Sequence, residues 1–485
     1  MTGAIRYNRN GLFDRLIANR LLLTWFTTLS LTGAYLVYAQ ALRHVITEKV
    51  VRREFPQEVF TSPAYSSGSN EKAKTYLPEI PWAANARYQF KDENVFIYTE
   101  SWKQEEEKKA ARLKPFAMLM FDRKKGDSVT PFALMSEEAL VRFEQPFGIK
   151  HTDPGRMIAG SLEGDVKITG PNGLIIYGRN FFYDEASMNI WSDHEVRFAY
   201  EDHRGRARGI EMKLIPSAEK PKELKPAAEG IREIVLRRDV HMKLAIKKEE
   251  DASQSGKSRF ATVKSTGSFT FNLETNRGTF TDDVRVYHPT SPNQADTLQC
   301  DNLQLQFVRM PETDQATLTE PVENKQPSLH SSGKLAFQEL VATGTNVTLI
   351  SEENQFTGTM TRLSYNEQTK TIVLTDERAV RIFQQSSELQ CPEITILQDQ
   401  EGRLETVTCK GAGWIKHRDP KTGQLTMAAQ WARQMKKSMD SETMLEMVEL
   451  EQQCIVRQPA EEFALAAQNI RLWLKGDLPS LKQTD

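Results

Sequence analysis

The chain has 485 residues, a formal net charge of -2, 26 % charged residues and 39 % hydrophobic residues. This length is enough for several ordinary domains with sizeable cores, and the composition is globular. The balanced charge excludes the overall basic excess that usually accompanies a nucleic-acid partner. The cysteines form no C-x-x-C pair, which excludes the common zinc and thioredoxin-type motifs. We expect the four cysteines to be isolated small residues on strands, with one incidental disulfide as the alternative. They are Cys300, Cys391, Cys409 and Cys454.

Residues 21–42 (LLLTWFTTLSLTGAYLVYAQAL) carry no charge and lie between two arginines. Because a helix of about 20 apolar residues spans the hydrocarbon core of a bilayer, the segment predicts a single-pass membrane anchor within residues 1–45. The basic residues before it predict a cytoplasmic N-terminus, with the bulk of the chain on the other side. Two alternatives stay open: a signal peptide cleaved near Ala39-Gln40-Ala41, and a buried core helix.

Beyond the apolar segment the chain predicts a linker and then strands. Residues 46–85 contain four prolines and the run SSGSN, which predicts a linker. Apolar and polar residues then alternate with a period of two, in runs bounded by Gly, Asn, Asp and Pro, which is typical of antiparallel strands. We therefore expect an all-β protein with helical periodicity only in the membrane segment. Its expected β units are 86–215 for the first, 230–310 for the second, and 333–476 for the third and fourth.

The strands recur in a fixed order. Each copy has a glycine, an apolar-x-apolar strand, a polar turn, one apolar residue and a V-R-apolar strand. The spacing from the second apolar residue to the apolar residue after the turn is the same in the copies at Tyr183, Leu273 and Tyr365. Cys300 and Cys391 fall at the same position of the repeat. Such strands have one apolar face, which must be buried against a second sheet or a ligand.

This repeat resembles the OstA-like family of lipopolysaccharide-transport proteins, whose periplasmic members are the bridge protein LptA and the membrane-anchored LptC. The resembling stretches are 157–214, 263–308, 339–398 and, more weakly, 404–475. The resemblance implies antiparallel β-jelly-roll units that form an open groove behind one N-terminal transmembrane helix in the bacterial inner membrane. The chain departs from the family because it is far longer than a one-unit anchored member and has polar linkers between units.

The resemblance also implies a ligand and partners. Apolar side chains inside the groove hold the acyl chains of lipopolysaccharide or a related glycolipid, and open edges join other β-groove proteins by strand addition. No catalytic residue, metal, cofactor or nucleic acid is implied. By alternation, the inward and therefore lipid-binding set is Phe181, Tyr183, Val196, Phe198, Phe271, Leu273, Val284, Val286, Leu303, Leu305, Phe307, Leu363, Tyr365, Ile372, Leu374, Val380, Ile382, Ile394 and Ile396.

The sequence thus predicts a non-enzymatic, membrane-anchored periplasmic scaffold that carries a glycolipid toward the outer membrane. One alternative is a structural or adhesive envelope protein in which the same side chains fill closed cores. Another is a carbohydrate-active enzyme on a repetitive β scaffold, for which we identify no convergent carboxylates. Gly256-Lys257-Ser258 lacks the upstream glycine of a phosphate loop, and the eight histidines lack metal-ligand spacing.

Overall fold

The computed structural model of the protein describes residues 67–92, 95–106, 109–121, 130–145, 157–216, 228–246, 259–291, 294–310, 334–352, 354–400, 403–440 and 443–474. The chain divides into two compact units, Met1–Pro63 and Ala64–Asp485, and every described residue belongs to the second. The predicted membrane segment 21–42 lies outside the described residues. Within the described ranges, no helix is long and apolar enough to cross a membrane.

The described residues of the second unit form one β-sheet of 23 strands, so the expected all-β class is confirmed. Period-two alternation favours this outcome, because it gives each strand one apolar face to bury. Among the described residues, one α-helix precedes the strands, α1 (Ser67–Tyr76). The strands are β1 (Tyr88–Asp92), β2 (Val95–Glu105), β3 (Ala110–Met120), β4 (Phe132–Phe143), β5 (Met157–Gly170), β6 (Leu174–Asp184), β7 (Asn189–Tyr200), β8 (His203–Pro216), β9 (Ala228–Ile246), β10 (Arg259–Ser265), β11 (Phe269–Asn272), β12 (Arg277–Ser291), β13 (Gln294–Met310), β14 (Lys334–Ser351), β15 (Phe356–Asn366), β16 (Thr371–Gln384), β17 (Ser387–Gln398), β18 (Leu404–Lys410), β19 (Gly413–Arg418), β20 (Leu425–Trp431), β21 (Gln434–Met439), β22 (Glu446–Gln458) and β23 (Phe463–Leu474).

The strands form an antiparallel meander. From β1 to β9 each strand pairs with the next one along the chain, and the same holds from β12 to β17. At two places short strands lie between two long ones: β10 and β11 lie between β9 and β12, and β18 to β21 lie between β17 and β22. Pairing is therefore continuous through the predicted β units, whose boundaries stay a prediction.

Most of the long strands change register near their middle. In β12 and β13 the shift lies between Thr281 and Val284, and in β15 and β16 it lies between Thr359 and Arg362. Such irregularities bend a strand and increase its twist. The buried residues beside them form one cluster, which we call the seam: Val166, Phe181, Val196, Ile210, Val240, Phe280, Val284, Cys300, Leu303, Ala342, Val347, Met360, Leu363, Leu374, Val380, Cys391, Ile394, Cys409, Leu450 and Cys454. We call the sheet face that carries the seam the inward face.

The N-terminal end of the sheet is covered on both faces. Helix α1 and the following 3₁₀ turn bury Ala73, Leu77 and Ala83 against the outward face of β2 to β4. The inward face there has its own buried cluster, which includes Ile97 and Leu113. The structure therefore differs from the predicted linker 46–85 from residue 67 onward. Small alanines, and not a broad apolar stripe, let this segment approach the sheet closely, so its pattern did not indicate a helix.

The turns of the repeat share one side-chain-to-backbone hydrogen bond. The residue that ends the first strand is Asp or Asn, and its side-chain oxygen accepts the backbone N–H of a Ser or Thr three positions later, at 2.7–3.0 Å. The next residue takes a left-handed conformation, as Lys370 does with φ of 50°. This Asx turn explains the constant spacing across the repeat. The copies are Asp184–Ser187, Asn272–Thr275, Asn366–Thr369 and Asp419–Thr422.

We expect the substitution Asn366→Ala to lower the free energy of unfolding by about 1 kcal/mol, because the N–H of Thr369 then loses its acceptor. Urea denaturation followed by circular dichroism measures this change. Gln368→Ala in the same turn is the matched control, since Gln368 is exposed, and should leave the midpoint unchanged. Equal midpoints for both variants would show that the Asx bond does not stabilise the hairpin.

Candidate functional site

The candidate site is the inward face of β5 to β23, where burial falls with distance from the seam. On β13, Leu303 is 1 % exposed and Leu305 is buried, whereas Phe307 at the strand end is half-buried. On β17, Ile394 is buried and Ile396 is half-buried. The same gradient occurs on strand after strand. The inward face is thus fully buried along the bend of the strands, and the apolar side chains on either side of the bend are partly exposed to water.

Many apolar side chains belong to this partly hydrated surface. Each keeps apolar area in contact with water, at a cost of roughly 25 cal/mol per Å². An apolar ligand that covers them would remove this cost, so the surface can bind a flexible hydrocarbon without any specific polar contact. Its members on β5 to β23 are Leu162, Ile190, Phe198, Tyr200, Ile231, Ile234, Leu244, Phe271, Val286, Phe307, Phe337, Leu340, Leu349, Phe356, Ile372, Leu389, Ile396, Val407, Ile415, Val448 and Leu472.

Aromatic rings form a row across this surface. Phe271 on β11 meets Phe307 on β13 with centroids 6.2 Å apart, Phe307 meets Phe337 on β14 at 6.3 Å, and Phe337 stacks on Tyr365 of β15 at 6.2 Å. Gly278 of β12 lies between the first two strands, paired with Phe271. A Cβ at Gly278 would come within 3.0 Å of the ring of Phe269. The glycine therefore makes room for a continuous aromatic row over several strands.

The polar end of the row is Tyr365. Its hydroxyl donates a hydrogen bond of 2.6 Å to Oε2 of Glu367, whose carboxylate also pairs with Lys370. Burial, helped by this hydrogen bond to a carboxylate, raises the pKa of Tyr365 above its ordinary value. The ring therefore stays neutral at physiological pH, with its apolar edge toward the row and its hydroxyl held by the turn.

The four cysteines are all buried and free, and all lie in the seam. Burial, reinforced by the negative charge of Asp301, raises the pKa of Cys300 to about 12. A hydrogen bond with the Cys391 thiol, together with burial, raises the pKa of Cys409 well above its ordinary value. Protonated, enclosed thiols are poor nucleophiles and poor metal ligands. Within the described part of the chain, no group of His, Cys, Asp and Glu is arranged to hold a metal ion.

The residues predicted to face inward are all buried or half-buried in the structure. The buried members are Phe181, Val196, Leu273, Val284, Leu303, Leu305, Leu363, Leu374, Val380, Ile382 and Ile394. The half-buried members are Tyr183, Phe198, Phe271, Val286, Phe307, Tyr365, Ile372 and Ile396. Leu273 differs in one respect, because it lies in a turn and not in a strand. The role of these residues in binding lipid stays a prediction.

Several inward residues escaped the sequence pattern. Met360 and Leu363 both face inward on β15, although strict alternation would place residues three apart on opposite faces. The bulge between them restores the common face. Phe337 lies near the start of β14 after a long polar stretch, so no complete alternating run precedes it. The glycine opposite Phe271 was a usable signal, since an isolated glycine in a strand often marks a close approach.

We expect the decrease in burial away from the seam to appear in the free energies of unfolding of alanine variants. Leu303→Ala should lower the free energy of unfolding by about 2–5 kcal/mol, because it leaves a cavity in a fully packed site. Ile396→Ala should cost clearly less, because its side chain is already partly hydrated. Leu397→Ala is the control, since Leu397 is exposed on the opposite face. Equal costs for Leu303 and Ile396, measured by urea denaturation, would indicate uniform packing and contradict the gradient.

We also expect none of the four thiols to react with a disulfide reagent such as DTNB at pH 8 in the folded chain. Burial restricts access to all four thiols, and the raised pKa values of Cys300, Cys409 and Cys454 keep the thiolate fractions of these three low. The chain in guanidinium chloride should release thionitrobenzoate for all four, and it serves as the control. Rapid reaction of the folded chain would show that the seam opens.

No protein-family model matches the chain, and no curated protein sequence matches it. The similarity to the OstA-like family therefore stays a prediction from the repeat pattern.

Proposed function

We propose that the chain is a membrane-anchored periplasmic scaffold that binds the acyl chains of lipopolysaccharide or a similar glycolipid on its apolar interior and passes the lipid toward the outer membrane. In this proposal the two halves of the bent strands are the walls of an open, jelly-roll-like groove, and the seam is its floor. Residues 21–42 are the inner-membrane anchor. The role is non-enzymatic and needs no cofactor.

The observation that carries the proposal is the half-buried apolar surface beside the seam. A core closed by a second sheet packs most inward side chains at the density of a protein interior and leaves few of them partly exposed. Here apolar side chains remain partly hydrated on strand after strand from β5 to β23. A lipid with several acyl chains needs a surface of this kind to cross an aqueous space, because exposure of each tail to water is costly.

The unpaired edge of the last described strand, β23, supports the binding of a partner protein with the same β architecture. Among the described strands β23 pairs only with β22, so its other edge presents backbone N–H and C=O groups. Phe463 and Leu465 lie on its inward face and are exposed. An edge of this length with apolar side chains favours addition of a strand from a second β-groove protein. The partner's inward face would then continue the apolar surface.

The alternative is a structural or adhesive envelope protein with closed β units and no lipid. The section from β2 to β4 favours it locally, because both faces of the sheet are buried there. The two proposals differ in what fills the space above the aromatic row.

Photo-crosslinking in cells that make lipopolysaccharide tests the proposal on the full chain. A benzoylphenylalanine residue is placed at Tyr365 or Ile396 on the inward face. Phe383 and Leu397 are the matched outward controls, since each is apolar and exposed on the opposite face. After irradiation, an antibody against lipopolysaccharide detects adducts of the chain. We expect adducts at the inward positions and none at the controls.

Two outcomes would contradict the proposal. Equal adducts at inward and outward positions would indicate lipid adsorbed to any apolar surface. The absence of adducts at all positions, from a chain that is folded and present in the membrane fraction, would favour the closed scaffold.

A further inference from the structure

The outward face of β7 to β12 carries a regular array of cations. Arg197 pairs with Arg206 on β8, which pairs with His241 on β9. His241 pairs with Lys264 on β10, which pairs with Arg285 on β12. A basic residue thus occupies the same register on consecutive strands. With its neighbours in the adjoining registers it forms what we call the cationic strip: Arg197, Arg204, Arg206, Arg208, Arg238, His241, Lys243, Lys264 and Arg285.

Among the described residues, most of the strip has no carboxylate within ion-pair distance. At its two ends Arg197 pairs with Glu195 at 3.2 Å and Arg285 pairs with Asp283 at 3.0 Å. Between them, no Asp or Glu among the described residues comes within ion-pair distance of the remaining arginines and lysines. All of these arginines and lysines are exposed. The local charge is therefore strongly positive, although the net charge of the chain is -2.

This arrangement opposes folding. Neighbouring strands lie about 4.8 Å apart, and like charges directly opposite each other on a sheet are destabilising. The repulsion is visible at His241: burial, followed by the charges of Lys264, Arg206 and Lys243, lowers its pKa. A face that was only solvated would be more stable with both signs of charge interspersed. The array indicates an external anion that spans several strands.

Exposed aromatic rings lie on the same face. Tyr177 pairs with Arg197 and is 48 % exposed. Tyr287 lies two residues from Arg285 and is 49 % exposed, and Phe260 is 40 % exposed on β10. These rings lie beside the cations on the same face and are exposed. Aromatic rings that flank cations on a flat face suit the boundary between lipid headgroups and acyl chains.

We infer that the cationic strip binds the surface of a bilayer that contains anionic lipids, with the phosphates on the Arg and Lys side chains and the three aromatic rings at the headgroup level. The array is too wide for a single anion. It lies on a sheet face whose backbone is already paired, so an acidic peptide finds no edge for strand addition. This inference is independent of the proposed lipid in the apolar interior, which lies on the opposite face.

An environment-sensitive fluorophore in the strip tests the inference. The full chain carries the substitution Thr262→Cys, and Thr262 lies between Lys243 and Tyr287 in the strand register. The fluorophore NBD is attached to this cysteine after the vesicles that contain the chain have been formed. Vesicles consist of phosphatidylcholine alone or with about a third of phosphatidylglycerol. The native cysteines are buried, and the unsubstituted chain gives the background labelling. Leu397→Cys, exposed elsewhere on the outward face, is the positional control.

We expect a blue shift and increased NBD emission in the anionic vesicles only, at Thr262→Cys and not at Leu397→Cys. Arg206→Glu and Lys264→Glu should each weaken the response about tenfold on a lipid titration, because each replaces an attraction of about one charge with a repulsion. Arg381→Glu is the matched control, since Arg381 is an exposed cation on the same face outside the strip, and it should leave the response unchanged. Salt at about 0.5 M should suppress it.

Three outcomes would overturn the inference. The first is the same emission in neutral and anionic vesicles. The second is a response that the reversals of Arg206 and Lys264 do not change. The third is reversal-sensitive binding of a fluorescent thymidine oligonucleotide or of polyglutamate without a response to anionic vesicles, which would assign the strip to a soluble polyanion.

Discussion

Burial of the seam is the constraint on which the rest of the structure depends. A long strand with strict alternation is nearly flat and offers one apolar face along its whole length. In β13, β15 and β17 the inward residues on either side of the bend are three apart, as are Cys300 and Leu303. Only a change of register at mid-strand lets both halves of such a strand contribute to the same buried line. The bend and the graded burial of the interior both follow from it.

Alternation within each half-strand was sufficient to predict the class of fold and the inward residues. Phe181, Val284 and Ile394 are buried as their pattern indicates. The turns were predictable for a physical reason, because Asp or Asn followed three residues later by Ser or Thr forms an Asx turn of fixed length. Such local rules depend on a few adjacent residues, so one sequence is enough to apply them.

Features that depend on distant residues were not predictable. The aromatic row joins Phe271, Phe307 and Phe337, which are adjacent only because of strand register. The cationic strip is hidden in the same way: its members are scattered along the chain, and the balanced net charge conceals them. Helix α1 was missed because alanines bury little apolar area, so its contact with the sheet leaves almost no periodic signal. Register across bulges is the information that a single sequence lacks.

The two ends of the described sheet are unlike. At one end the edge strand β1 has five residues and its neighbours are covered by α1; at the other, β23 has twelve residues and an unpaired side in the described chain. A subunit with two equal edges can add copies indefinitely and form fibres. A subunit with a short, blunted edge and a long, receptive one accepts a neighbour on one side only. In the described chain the two edges therefore differ in length and cover, and an assembly that used the edge of β23 alone would stop at a pair.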